Sequence, residues 1–126
     1  MNSVSFAFLG DAFYELSVRR RLVSRGGAYA ADRLHLEAVR YVKASSQAKA
    51  VRAFIEQGIL TDIEADVVRK ARNRKPKTVP KNAEPLDYKL ATAFEALIGY
   101  HCIEGRSARA EELAGLAMSV IDGKGA

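Results

Sequence analysis

Cysteine occurs once in the 126 residues, at Cys102, so the chain can form no internal disulfide. Cys102 lies in an apolar helical stretch, where a lone thiol is expected to be a core residue. Strand signals are nearly absent: no segment alternates apolar and polar residues convincingly, and no Asn-Gly or Asp-Gly turn appears, which excludes a hairpin-built sheet. The longest apolar stretches are broken by Asp11, Glu15 and Glu95 and fall short of the roughly 20 residues a membrane span needs. No basic region precedes an apolar one at the N-terminus, so no secretory signal is read, and a cytoplasmic location without membrane attachment is expected. Internal repeats and low-complexity segments are missing. So are a nucleophile motif, a zinc-ligand spacing and a phosphate-cradling glycine loop.

Acidic residues are missing from one segment in particular. Arg69 to Asn82 holds Arg69, Lys70, Arg72, Arg74, Lys75, Lys77 and Lys81 and no acid. The remainder has thirteen basic residues against fifteen acidic, so the whole net charge of +5 arises in these fourteen residues. A stripe of that density favours a polyanion, of which nucleic acid is the commonest. The length and the ordinary apolar content predict one globular domain over residues 1–126.

What is present is helix signal. Residues 3–24 are too apolar in their first half for a one-sided surface helix, and predict a buried central helix stopped by Gly26-Gly27. A second helix is expected over 32–43 with Leu34, Leu36, Val39 and Val42 inward, and a third over 46–57 with Ser45 as its N-cap and Gly58 as its stop. Thr61-Asp62-Ile63-Glu64 reads as a capping box opening a helix to about Ala71. Asn73 to Pro85 contains all three prolines and reads as a basic loop, about 72–85 with its flanks. A fifth helix, 86–104, is again apolar nearly all round, and Ser107 opens a sixth ending near Gly123. The fold class is all-α, a helical bundle in which the two buried helices pack on each other.

Each buried helix carries acids where they are costly. Asp11 and Glu15 sit one turn apart on one helix, and Glu95 lies in the middle of the other. A buried carboxylate costs several kcal/mol unless paired, hydrogen-bonded or bound to metal, about the cost of the interaction it replaces in water. The compensating cation is either a core arginine or a divalent metal such as Mg²⁺, which takes one or two carboxylates and keeps waters. For Glu15 an i,i+4 pair with Arg19 is the readier account, and His35, among leucines, reads as a core or interface residue rather than a catalyst. Gly10 and Gly99 stand in helix interiors at a cost of about 1 kcal/mol each relative to alanine. Close approach of another helix or of a substrate would offset it. Tyr14, Tyr41, Tyr88 and Tyr100 read as packing residues.

At these two stretches the chain resembles the ribonuclease III family. Phe8-Leu9-Gly10-Asp11-Ala12 is similar to the family's signature helix and Phe94-Glu95-Ala96-Leu97-Ile98-Gly99 to its second acidic motif. Val42-Lys43-Ala44-Ser45-Ser46-Gln47-Ala48, Arg72-Asn73-Arg74-Lys75 and Pro80-Lys81-Asn82-Ala83 extend the resemblance over roughly residues 6–115. It is nearest to the Mini-ribonuclease III branch, which has the catalytic domain and no double-stranded-RNA-binding domain. The resemblance implies an all-helical endonuclease domain, a homodimer, and cleavage of double-stranded RNA with Mg²⁺, for which Mn²⁺ is expected to substitute. Products would carry 5′-phosphates and 3′-hydroxyls with short 3′ overhangs, and the implied substrate is a precursor of 23S ribosomal RNA. Asp11 and Glu95 match the metal-binding catalytic acids, with Glu15 a supporting candidate.

Ordinary ribonuclease III has a further acid one turn before Asp11 and another three residues before Glu95. Here those positions are Ala7 and Thr92, as in the Mini branch, leaving fewer protein ligands for the metal. The signature motif also lies close to the first residue, so an upstream segment of many relatives is expected to be short or missing. With no separate RNA-binding domain, the catalytic domain must grip phosphates itself, and Arg72, Arg74, Lys75, Lys77, Lys81 and Asn82 are the candidates. Two rivals stand beside the nuclease: a non-catalytic RNA-binding or ribosome-assembly factor on the same fold, and a helical DNA-binding protein.

Overall fold

The computed structural model describes residues 2–25, 30–75, 78 and 80–126, and over these the chain forms six α-helices and no strand. They are α1 (Ser3–Ser24), α2 (Ala31–Val42), α3 (Ala44–Glu56), α4 (Asp62–Asn73), α5 (Pro85–Ile103) and α6 (Ser107–Ile121). Helix α5 is central, with α1, α3 and α4 packed around it and α6 closing over α3 and α5. Its start is firm: Pro85 opens the helix and the Glu84 carboxylate accepts from the backbone N–H groups of Leu86 and Asp87. Most of its second half is buried, including Phe94, Ala96, Leu97, Ile98 and Gly99. Phe94 lies edge-on to Tyr14 of α1, 4.8 Å between centroids, and also meets Phe54 of α3. That aromatic contact fixes the register of α5 against both neighbours.

Helix α1 departs from the expected buried helix. Its inner face (Ala7, Gly10, Tyr14, Val18, Leu22) is covered, but Val4, Phe8 and Leu16 lie outside, Phe8 84% exposed. The helix looked buried because it is apolar on two faces, and this chain covers one of them. Helix α2 departs in the same direction. Leu36 and Val39 point outward, Leu36 66% exposed, while Ala38 and Tyr41 take the core face with Leu34 and Val42 partly buried. Tyr41 can occupy that face because its hydroxyl donates to Asp122 (2.7 Å) and accepts from Arg40 (2.6 Å) and Arg25 (3.3 Å). His35 is exposed, which removes the core reading. Cys102 is half-buried against the core, and its burial pushes the thiol pKa up.

Helix ends shift by small amounts for identifiable reasons. Ser45 caps nothing: α3 starts at Ala44 directly after extended Lys43, and the neighbouring Ser46 hydroxyl donates instead to the Arg40 carbonyl at 2.6 Å. Helix α4 runs on to Asn73, so Arg72 belongs to its last turn, and Pro85 belongs to α5. Gly58 closes α3 with φ +65°, and the Ile59 N–H reaches back to the Phe54 carbonyl. The expected stop at Gly26-Gly27 lies outside the described residues.

The capping box at Thr61 and Glu64 forms, and Glu64 does more than cap. Only 2% exposed, its carboxylate accepts from Thr61 N–H, from Arg109 Nε and Nη2 (both 2.8 Å), and from His101 Nε2 (2.6 Å). Arg106 Nε donates to His101 Nδ1, so the ring proton sits on Nε2 and points at Glu64. This network ties α4, α5 and α6 together. The Arg109 guanidinium, with the Thr61 N–H and His101, holds the Glu64 pKa down to about 2 despite its burial. A depressed carboxyl pKa contributes stability above the ordinary value of 4.5 that is lost as pH falls toward about 2. Glu64→Ala is therefore expected to cost about 3 kcal/mol, since it strands Arg109 and His101, and to flatten the acid limb of stability in urea titrations below pH 4.5. A variant as acid-sensitive as the parent would show that another carboxylate carries the limb.

Candidate active site

Helices α1 and α5 meet at two glycines. A Cβ built on Gly10 would fall inside the carbonyl group of Glu95 and 2.8 Å from the Gly99 nitrogen. One built on Gly99 would fall inside the Phe6 carbonyl and 2.9 Å from the Gly10 nitrogen. Backbone lies against backbone here, which accounts for glycine in two helix interiors. The crossing also places the acids. Asp11 follows Gly10 and Glu95 stands one turn before Gly99, so the two side chains face each other where the helices touch.

Glu95 is largely buried, and burial is the main cause of a pKa pushed up from 4.5 to about 8. Asp11 adds to this, as acceptor of the Glu95 carboxyl proton and as a like charge, with a smaller contribution from Glu15. The Gln47 carboxamide of α3 opposes it by hydrogen bonding to the ionised form. Neither Asp11 nor Glu95 takes part in a salt bridge with any described residue, whereas Glu15 pairs with Arg19 at 3.2 Å, as the i,i+4 spacing predicts. The acid that found a core arginine is Glu64, for which the sequence signalled only a cap.

This donor set suits a hard divalent cation. Two facing carboxylates, one destabilised as an anion by burial and by its acidic neighbour, would be relieved by a metal, and the exposed Asp11 leaves one side open. No group of three or more His, Cys, Asp or Glu suited to a metal occurs among the described residues, so protein ligation would rest on two acids. At the positions of the missing acids, Ala7 is buried and Thr92 Oγ1 donates to the Tyr88 carbonyl at 3.0 Å.

The basic candidates stay apart from the acids in character. Arg72, Arg74, Lys75, Lys81 and Asn82 are all exposed, and Lys77 lies outside the described residues. Arg74 lines a small cleft with Tyr88, Lys89 and Thr92. Since Tyr88 and Thr92 precede Glu95 by seven and three residues, that cleft opens on the Glu95 face of α5. Lys89 is a cation that charge counting over Arg69–Asn82 passed over. Gln47 was also missed as a site residue, although a glutamine seven residues before Phe54 on the core face of α3 was a visible irregularity. No described helix is long and apolar enough to cross a membrane.

Known proteins resemble the chain in sequence and in fold. The Ribonuclease III domain family matches residues 4–106. The Mini-ribonuclease 3 of Symbiobacterium thermophilum is 42% identical over 119 residues, covering 94% of this chain and 89% of that protein. Its counterpart in Streptococcus pneumoniae is 33% identical, covering 98% of this chain and 95% of its own. A protein of Fusobacterium nucleatum known from its crystal structure superimposes with a TM-score of 0.82 at 25% identity, covering 94% of this chain and 93% of that one. The chain therefore belongs to the ribonuclease III family of endoribonucleases, among the Mini-ribonuclease 3 proteins.

Proposed function

We propose that the chain is a Mg²⁺-dependent endoribonuclease that cuts double-stranded RNA, with all 126 residues forming one catalytic domain. The observation that carries this reading is the pair of facing carboxylates, Asp11 and Glu95, with no cationic partner among the described residues. When bound, Mg²⁺ or Mn²⁺ supplies activation of water and neutralisation of charge developing on a phosphodiester. The residues do the rest. Asp11 presents an open carboxylate, Glu95 is held by burial and by its neighbours, and Glu15 lends negative charge while held by Arg19. Because a proton competes for Glu95, cation affinity should rise with pH up to about 8 and then level.

Arg72, Arg74, Lys75, Lys77 and Lys81, with Asn82, are read as the phosphate grip for the duplex. Changing Arg72, Arg74, Lys75 and Lys81 together to alanine should weaken RNA binding and flatten its salt dependence by roughly three to four in log–log slope. An unchanged slope would exclude these side chains from the interface. The exposed stripe of Val4, Phe8 and Leu16, four and eight residues apart, supports a homodimer packed through α1. Phe8→Asp is expected to give a folded monomer in sedimentation velocity, and a dimer persisting in that variant would place the contact elsewhere. A 23S ribosomal RNA precursor in the cytoplasm is the substrate and setting that the family resemblance implies.

The direct test of activity uses a labelled RNA duplex and the same duplex as DNA, each with Mg²⁺. The reading expects RNA cut to fragments ending in 5′-phosphate and 3′-hydroxyl, with DNA intact. Binding of RNA without cutting at any Mg²⁺ concentration would favour the non-catalytic RNA-binding factor.

A further inference from the structure

Gln47 is 2% exposed, and its Oε1 has no hydrogen-bond partner. It is the sole buried side-chain polar atom among the described residues left in that position. Stranding a buried acceptor is unfavourable by an amount comparable to a lost hydrogen bond, so the arrangement calls for a reason. The amide's orientation is set by the end of α2, since Nε2 donates to the Val42 carbonyl at 2.9 Å. That amide group has a second N–H, and the carboxamide lies close enough to Glu95 to favour its ionised form. With the nitrogen turned to Val42, the oxygen is left without a partner. Leucine or methionine would suit a buried position on the face of α3 that carries Val51 and Phe54, without an orphan atom. Packing therefore does not explain a glutamine here.

We propose that Gln47 is a positioning residue that anchors the Glu95 carboxylate from α3 and α2, so that it faces Asp11 ready for a divalent cation. This rests on the reading of Asp11 and Glu95 as the metal site. Gln47 would touch neither substrate nor metal. It would act through Glu95, making a two-acid site bind a cation as if it were better furnished. A neighbour that orients a metal ligand from behind typically changes metal affinity by about 10- to 100-fold.

The test is Mn²⁺ affinity by titration calorimetry on the intact protein, with Tm measured alongside. Gln47→Met keeps the side chain's length and removes both the donor and the orphan. We expect Mn²⁺ to bind about tenfold or more weaker, Tm to hold or rise, and the Mg²⁺ concentration for half-maximal cleavage to rise in parallel. In a Glu95→Gln background the same change should have no further effect on Mn²⁺ binding. Should Gln47→Met fail to fold, Gln47→Leu carries the same expectations. A fall in Tm with Mn²⁺ affinity unchanged would overturn the proposal, making Gln47 merely the closure of α2. If Asp11→Asn and Glu95→Gln themselves leave Mn²⁺ binding intact, the metal-site reading fails. If those two lose binding and Gln47→Met does not, only this inference fails.

Discussion

Gly99→Ala is expected to lower stability by about 3 kcal/mol or more, enough to shift Tm by about 10 °C or more in a chain of this size. The added carbon would fall inside the Phe6 carbonyl, and a peptide group cannot rotate aside as a side-chain tip can. Helices α1 and α5 must separate, and the aromatic contact of Tyr14 with Phe94 loosens with them. Gly10→Ala meets the Glu95 carbonyl in the same way and should be comparable. Both variants should also lose cleavage beyond what unfolding explains, because this crossing sets the distance between Asp11 and Glu95. Gly115 supplies the control. It lies inside α6, and a Cβ there meets only the Arg21 guanidinium, at 3.2 Å. Gly115→Ala should therefore be neutral or stabilise by up to about 1 kcal/mol through helix propensity. Thermal melts of the three variants decide it; a Gly99→Ala melt matching the parent would mean the helices do not touch there.

The second large effect runs in opposite directions for activity and stability. Glu95→Gln should reduce cleavage by on the order of 10³-fold or more, as expected when several kcal/mol of metal-assisted catalysis are lost. Without divalent cation the same change should stabilise the fold. The folded-state pKa of Glu95 is raised from 4.5 to about 8, so the folded chain holds a proton that the unfolded chain has released. Stability then falls as pH rises from about 4.5 to about 8 and levels beyond. Glutamine has no such charge to suppress, so the variant should gain about 1–3 kcal/mol at pH 8 in chelator. Urea titrations of both proteins at pH 5 and pH 8 measure it. Equal pH dependence would mean Glu95 ionises freely and needs no cation.

Parts of this could be read from the residues and parts could not, for physical reasons. Asp11, Glu95, Gly10 and Gly99 were legible because each breaks a local rule, a charge or a glycine inside an apolar helix. The structure explains both kinds of breach by one crossing. Helix α1 misled because hydropathy registers apolar faces without saying what covers them; Phe8 reads like a core residue and is exposed. Helix α2 misled because Leu36 and Val39 are the more apolar choice, while Tyr41 wins the core through three polar partners, just past α1, on α2 and just past α6. The Glu64–His101–Arg109 network spans 45 residues of sequence and leaves no periodic trace. Its one hint, the capping-box glutamate, is explained locally and points no further.

The account stands most directly on one comparison: Mn²⁺ binding and Mg²⁺-dependent cleavage of a double-stranded RNA by the parent, Asp11→Asn and Glu95→Gln, with RNA binding followed in parallel. It predicts that both variants keep their fold and their affinity for the duplex, lose tight Mn²⁺ binding, and cut on the order of 10³-fold more slowly or not at all. A variant of either acid that binds Mn²⁺ and cuts RNA like the parent would contradict it, and would move the catalytic centre away from the crossing of α1 and α5.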